Sequence, residues 1–206
     1  MNLYYKYWYF QSVIPERICD DIVRLGHQLK DQMAITGEFG KNKLNAKQVK
    51  DLKKKRDSNI VWMNDRWVLK EIQPYVNKAN ALAGWNFEWD WSESCQFTKY
   101  SKGQYYDWHC DSWDKSYNKP NTPLHGKIRK LSVTVSLSDP KEYKGGELEF
   151  DLKDGMPGKK NIIKCNEILP KGSLVVFPSH IWHRVCPVKK GERNSLVIWN
   201  LGWPFK

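Results

Sequence analysis

The sequence predicts a mainly β, α+β protein: two N-terminal helices followed by one double-sheet β core, a sandwich or jelly roll. Three observations predict it. A length of 206 residues suits one domain, against a prior of roughly 150 residues per domain. Apolar residues recur at helical spacing only before Gly84. After Gly84, short runs of period two alternate with turn residues, roughly eight strands in all, as in double-sheet all-β folds. We therefore expect a single domain over 1–206, with N-terminal support over 1–86 and a jelly-roll core over 87–206.

Residues 3–12 are short and aromatic, which suits a strand. Pro15 then opens a helix, at a position where its missing N–H costs nothing. Ile18, Ile22, Leu25 and Leu29 form one apolar stripe, so that helix is expected to run to about Gln32. Residues 34–57 are polar and Lys-rich and read as a mobile loop with room for a short helix. A brief strand follows at 60–63. A second helix starts near Asn64 or Asp65, with Trp67, Val68, Ile72, Val76 and Ala79 on one face, and Pro74 should kink or interrupt it. From 87 to 100 the pattern alternates, with Phe87, Trp89 and Trp91 on one side. Further strands are expected at 104–110, 129–138, 146–152, 161–168, 173–177, 182–187 and 195–201. They are separated by Asp139-Pro140, Gly145-Gly146, Asp154-Gly155, Pro170 and Lys190-Gly191.

Composition narrows the class. No run of about 18 apolar residues exists, so no membrane-spanning helix is expected. The first ten residues lack the charged and aliphatic regions of a signal peptide. Five scattered cysteines without a CxxC pair suit a reduced, cytoplasmic protein. The net charge is +11, but residues 41–56 alone carry eight Lys/Arg against Asp51. Such concentration points to one basic segment rather than a nucleic-acid-binding surface over the whole molecule.

The chemistry centres on residues 105–111. In an extended chain His109 and Asp111 share one face, where an imidazole and a carboxylate can grip one cation. A third ligand must come from a distant strand. Of the five His, His27 sits in the first helix and His125 in a Pro/Gly-flanked loop. His183 begins an alternating run, whereas His180 lies nearer the turn at Pro178-Ser179, so His183 is the expected ligand. Two His and one carboxylate on one face of iron leave open positions, as non-haem Fe(II) oxygenases require. Ten residues on, Arg193 and Ser195 offer a guanidinium and a hydroxyl to a carboxylate. Alone, an HxD pair is commonly surface and an Arg commonly a salt-bridge partner; the ordered set is harder to reach by accident.

That set resembles the 2-oxoglutarate- and Fe(II)-dependent dioxygenases, in the prolyl-4-hydroxylase-like branch with the bacterial PKHD-type hydroxylases. The matching stretches are YSKGQYYDWHCD (100–111), RKLSVTVSLSDP (129–140), GGELEF (145–150) and LPKGSLVVFPSHIWHRVCPVKKGERNSLVIWNLG (169–202). The resemblance implies a double-stranded β-helix of cupin-like form, with His109, Asp111 and His183 as iron ligands. It implies that Arg193 pairs with the far carboxylate of 2-oxoglutarate, that Tyr100 donates a hydrogen bond to it, and that Ser195 assists. Fe(II), 2-oxoglutarate and O2 are the implied cofactors, with ascorbate as a candidate reductant. Mn, Co or Ni would also suit the donor set. Asp111 stands where halogenating relatives have a small residue, so hydroxylation of a C–H bond, with release of succinate and CO2, is the implied outcome.

For the substrate, we expect a prolyl residue in a protein or peptide, with 34–57 closing over it and its charge favouring an acidic partner. Trp108, Trp113 and Trp199 are candidate pocket walls; core packing explains each equally well. Two other outcomes stay open: nucleic-acid demethylation or hydroxylation on the same core, and a non-catalytic cupin-like binding module. Oligomeric state is not legible.

Overall fold

In the computed structural model, residues 3–30, 32–34, 45–112, 115–152 and 161–205 are described; Trp113 and positions 35–44 lie outside them. In chain order the elements are β1 (Trp8–Phe10), α1 (Glu16–Gln28), β2 (Gln32–Met33), α2 (Ala46–Lys55), β3 (Arg56–Asp57), β4 (Asn59–Met63) and α3 (Arg66–Leu82). Then follow β5 (Trp91–Ser92), β6 (Cys95–Tyr100), β7 (Tyr105–His109), β8 (Ile128–Ser136), β9 (Lys144–Gly145), β10 (Leu148–Asp151) and β11 (Ile162–Lys164). The last are β12 (Leu174–Pro178), β13 (Trp182–Val185), β14 (Val188–Lys190) and β15 (Arg193–Gly202).

The strands form two main sheets. The larger has the order β1-β12-β8-β15-β6-β4-β2, with β5 pairing the end of β15; the smaller has the order β11-β10-β13-β7-β3. Every recorded pair is antiparallel, so neighbours in a sheet come from distant parts of the chain, as in a jelly roll.

Strand alternation decides what each face of the large sheet does. On β8, Leu131, Val133 and Val135 point to the helices, and they share one core with Ile18 and Ile22 of α1 and Val68, Ile72 and Val76 of α3. Gly26 lets α1 approach this sheet, because a Cβ there would lie 2.6 Å from the Phe97 ring. The intervening Ser132, Thr134 and Ser136 are equally buried but turn to the interior between the sheets. There Phe150 and Val185 of the small sheet meet Val175, Phe177 and Tyr100 of the large one in a second core. A strand apolar on one face and polar on the other, with both faces buried, indicates a polar cavity inside the fold.

Several local expectations are corrected. Helix α1 stops at Gln28 rather than near Gln32, because Gln32 and Met33 pair with Ile60 and Asn59 of β4; Leu29 is left 40% exposed. Pro74 does not interrupt α3. It sits on the exposed side, where water can satisfy the carbonyl it frees, and the opposite stripe Val68, Ile72, Val76 and Ala79 is buried. Burying each of the larger side chains contributes about 1.5–3 kcal/mol, against roughly 3 kcal/mol for the proline. Trp67 lies off that stripe and is 37% exposed. Residues 87–90 are not a strand: the Asn80 side chain accepts from Phe87 N and donates to Phe87 O, which takes the backbone out of sheet pairing. The short helix allowed within 34–57 is α2, started by a capping box in which Asn45 and Gln48 bond reciprocally. No helix among the described residues is long and apolar enough to cross a membrane.

Candidate active site

His183 and His109 are direct cross-strand partners on β13 and β7, which is how residues far apart in sequence meet. Strand β7 carries a bulge here. Val185 pairs with Tyr106 while His183 pairs with His109, so β7 has one extra residue between the two pairs. The bulge places Tyr106 on the same side as His109, and the two rings stack with centroids 3.5 Å apart. Strand pairing ends at His109. Asp111 reaches the site from the following turn, held by its N–H donating to the Ser179 carbonyl at 2.8 Å.

One ligand atom each from His109, Asp111 and His183 lie within 4.8 Å of one another. His109 Nε2 is 3.8 Å from Asp111 Oδ1, and His183 Nε2 is 3.6 Å from Asp111 Oδ2. The outer nitrogens settle the tautomers. His109 Nδ1 meets the Asp107 carbonyl at 2.8 Å, and His183 Nδ1 meets the Ile181 carbonyl at 2.9 Å. A carbonyl only accepts, so both Nδ1 atoms carry the proton and both Nε2 lone pairs face the centre. Ser132 Oγ donates to Asp111 Oδ2 at 2.7 Å and is itself 2.9 Å from Ser179 Oγ, fixing the carboxylate from behind.

Electrostatics match. Burial, and then the neighbouring His183, hold the His109 imidazole well below its usual range, so it is neutral at pH 7. Burial alone would raise Asp111, but His183, His109, Arg129 and the Ser132 hydroxyl together bring it below the ordinary carboxylate value. Two imidazole nitrogens and one carboxylate oxygen, with no further His, Cys, Asp or Glu in the group among the described residues, suit a divalent transition metal such as Fe(II). Ser132→Ala should lower metal affinity roughly 10- to 100-fold, the usual cost of losing a residue that supports a ligand. Calorimetric titration with Co(II) measures it.

A second buried polar cluster lies on the large sheet. Arg193 on β15 is opposite Tyr100 on β6, and its guanidinium carbon is 5.6 Å from the Tyr100 ring centre. Arg193 is only 3% exposed and donates to Ser195 Oγ at 3.2 Å. Among the described residues no carboxylate lies within ion-pairing distance of it. Gly146 makes room for its stem, since a Cβ there would be 2.8 Å from Arg193 Cδ. A buried cation without a counter-ion is costly, and a carboxylate ligand would satisfy it.

The structure thus brings His109, Asp111 and His183 together, and Tyr100, Arg193 and Ser195 together. Trp199 lies on the inward face of β15, buried under the Arg129 guanidinium at 3.8 Å from the ring centre, and its Nε1 has no acceptor among the described residues. Trp108 is corrected: it packs under Arg184 of β13, which pairs with Glu149, while His183 next to Arg184 points the other way. Alternation along β13 therefore puts Trp108 on the outer face of the small sheet. Trp113 falls outside the described residues. Arg56, counted within the basic segment, is 5% exposed, donates to Ser58 Oγ and lies over the Tyr106 ring. Sequence reasoning missed Tyr106, Ser132 and Arg129. Arg129 donates through Nε and Nη2 to the two Glu93 oxygens, both at 2.7 Å. Nothing local marks these residues; only the alternation of Ser132 and Thr134 with valines on β8 hinted at a polar inner face.

Comparison with known proteins agrees with this geometry. Residues 95–200, just over half the chain, match the 2OG-Fe(II) oxygenase superfamily. A PKHD-type hydroxylase of Alteromonas mediterranea is 36% identical over 104 residues, covering 50% of this chain and 41% of that protein. One from Shewanella baltica is 38% identical over 104 residues, 50% of this chain and 40% of its own length. The chain thus spans about two fifths of the length of these curated relatives. Among solved structures, the viral collagen prolyl hydroxylase of Paramecium Bursaria Chlorella virus-1, as its 2OG complex, superposes with TM-score 0.64 at 21% identity, covering 97% of both chains. A Trichoplax adhaerens prolyl hydroxylase, in complex with a hypoxia inducible factor oxygen degradation domain peptide fragment, gives 0.61 at 15% identity, covering 95% of this chain and 83% of that one. The chain belongs to the 2OG-Fe(II) oxygenase superfamily.

Proposed function

We propose that this protein is an Fe(II)- and 2-oxoglutarate-dependent dioxygenase that hydroxylates a prolyl residue in a protein or peptide, with release of succinate and CO2. The observation that carries it is Arg193: a buried guanidinium with no described counter-ion, in the same interior as the His/Asp/His cluster. Tyr100 and Tyr106 connect the two places. Tyr100 lies beside Arg193, and Tyr106 stacks on His109 and packs against the core cluster that contains Tyr100.

His109, Asp111 and His183 would hold the iron, which when bound supplies oxygen activation coupled to oxidative decarboxylation of the co-substrate. Arg193 and Ser195 would clamp the far carboxylate, with the Tyr100 hydroxyl as a further donor. Ser132 and the two backbone carbonyls keep the ligand atoms aimed and the imidazoles in one tautomer. Tyr106, with its phenol pushed up to about 12 chiefly by burial, stays neutral and gives the site a dry aromatic wall. Trp199 offers a second ring, and its buried N–H would find an acceptor on a bound ligand.

The relatives' names favour a prolyl target. Helix α2 also exposes Lys47, Lys50, Lys53, Lys54 and Lys55, which would favour acidic partners. The same lysines motivate a second outcome, a nucleic-acid substrate, because phosphates respond to such a patch. The test is incubation with Fe(II), 2-oxoglutarate and panels of proline-containing peptides and oligonucleotides. We expect succinate release coupled to gain of one oxygen by a peptide. Modification of an oligonucleotide with every peptide untouched would transfer the function to nucleic acid.

A further inference from the structure

Trp199, Tyr106 and Tyr100, the aromatic rings at the candidate active site, each lie against a guanidinium. Arg129 covers Trp199 at 3.8 Å from the ring centre, Arg56 covers Tyr106 at 4.4 Å, and Arg193 stands 5.6 Å from Tyr100. A cation over a π face is attracted by the ring electrons, and removing one of those electrons turns the attraction into repulsion. A fourth ring has the opposite setting. Tyr7, just before β1, donates from its hydroxyl to Glu167 Oε1 at 3.2 Å. We propose that Tyr7, with Glu167 as its proton acceptor, is a redox site that returns electrons to the metal site when it is oxidised without substrate, and that Tyr9 is its outlet to reductant in solution. The inference rests on the metal-dependent reaction proposed above, though not on its prolyl target.

A run of rings connects the two places. His183 lies 6.2 Å from Phe150, centre to centre, and Phe150 stacks on Tyr7 at 5.1 Å with the planes 10° apart. Phe177 packs against both, 4.7 Å from His183 and 4.9 Å from Phe150. Beyond Tyr7, the Tyr9 ring is 6.4 Å away and 42% exposed. A phenylalanine ring is hard to oxidise, so Phe150 bridges without holding the charge. Tyr7 is the first side chain on this route that can hold it.

The proton sets the direction. Oxidation turns a phenol into a strong acid, so a tyrosine releases its electron readily where a base within hydrogen-bond reach takes the proton. One oxygen of Glu167 accepts from Tyr7, and the other is buried with no partner among the described residues. Such an orphan acceptor is costly, and an arriving proton would relieve it. Gln11 Nε2 donates to the Glu167 carbonyl at 3.0 Å, which ties the 3-10 turn Asn166–Ile168 to the end of β1. At rest, burial and then the Glu167 charge hold the Tyr7 phenol well above its usual value, so its proton leaves only with the electron. Trp199 lacks this arrangement, since its Nε1 has no acceptor among the described residues.

Each round balances. Tyr7 loses one electron across Phe150 to the oxidised site, its O–H bond breaks, and the proton passes to Glu167 Oε1. An ene-diol in solution then returns one electron through Tyr9, and Glu167 returns the proton to the phenol oxygen. Consumption of 2-oxoglutarate and O2 without substrate leaves two oxidising equivalents, so two rounds discharge them. One ene-diol is oxidised to its diketone, and the two protons it releases to solvent match the two taken up in forming water.

The experiment uses the Fe(II) protein without substrate, given either 2-oxoglutarate and O2 or hydrogen peroxide, which oxidises the site without the co-substrate. Freeze-quenched EPR reads the tyrosyl radical, succinate reads the uncoupled reaction, and peptide mapping reads oxidative damage. We expect a tyrosyl signal that Tyr7→Phe removes. That variant keeps the ring on Phe150, so folding and metal binding should be unchanged while damage to β7 and β13 rises severalfold. Glu167→Gln keeps the hydrogen bond but not the base, and should slow the signal about 100-fold, the lower end for losing a positioned proton acceptor. Tyr9→Phe should keep the signal and lengthen its life severalfold in ascorbate. A signal that survives Tyr7→Phe and is lost in Tyr106→Phe overturns the route. Absence of any tyrosyl signal under both oxidants overturns it too, and succinate release in that sample leaves the oxygenase reaction standing. A Tyr7-dependent signal with peroxide but no succinate from 2-oxoglutarate supports the redox site and removes the co-substrate reaction instead.

Discussion

Arg193→Met is expected to cut 2-oxoglutarate affinity by roughly 30- to several-thousand-fold, the 2–5 kcal/mol typical of truncating one partner of a buried charge pair. Metal binding should survive. The free protein should not lose stability and is expected to gain some. That sign follows from the pocket: the guanidinium is 3% exposed, shares one hydrogen bond with Ser195, and is compensated by no described carboxylate. An unpaired buried cation destabilises the empty fold, and replacing buried charge by an apolar group of similar volume is commonly neutral or stabilising by about 1–4 kcal/mol. Arg193→Lys is the informative partner. It keeps the charge but loses the planar fork, so its affinity for the dicarboxylate should fall between wild type and Met. Thermal unfolding with and without 2-oxoglutarate reads both effects. A methionine variant that unfolds several degrees early yet still shows the full ligand-induced shift would mean that Arg193 is a structural residue and the anion lies elsewhere.

How much of this site was legible depends on whether a residue's role is written locally. His109, Asp111, His183 and Arg193 were legible because each sits in a short alternating run and few His compete for the role. The route by which Asp111 arrives was not. A uniform strand over 105–111 would put His109 and Asp111 on one face by alternation alone. The chain instead bulges before His109, ends the strand there, and places Asp111 through the Ser179 carbonyl. The same bulge brings Tyr106 onto His109, which a period-two reading assigns to the opposite face. Arg129 and Glu93 are 36 residues apart, and their bond depends on how β8 and the segment before β6 lie against β15. Composition could count Arg56 only as basic; it is folded under as a cation over Tyr106. At the level of fold, helix α3 and most core strands followed from periodicity. The Asn80 side chain that captures Phe87, and the capping box that starts α2, overrode period and polarity with specific hydrogen bonds.

Asp111→Asn should abolish metal binding where Arg193→Met preserves it. The amide keeps the shape and can still bond Ser132, but it removes the one negative charge of the donor set. The loss should therefore exceed the roughly 10- to 100-fold of a supporting residue such as Ser132. Acid titration of the metal-free protein supplies a second readout. The Asp111 carboxyl is below its ordinary value in the fold, held there against burial by His183 and His109. The unfolded chain then binds the proton more readily than the folded one, so stability rises with pH across that interval. The contribution is complete above the unfolded value, about 3.9, and is lost as pH falls through the folded value. Asp111→Asn should flatten that part of the acid-unfolding curve. His109 acts in a higher window. Its imidazole is depressed by burial and by His183, so wild type should already lose stability below about 6.5, and His109→Gln should remove that earlier slope. Titration with Co(II) and urea unfolding between pH 3 and pH 7 together separate a metal cage from a merely well-packed polar cluster. If Asp111→Asn binds Co(II) as tightly as wild type, the three side chains hold each other and not a metal, whatever the acid curve does.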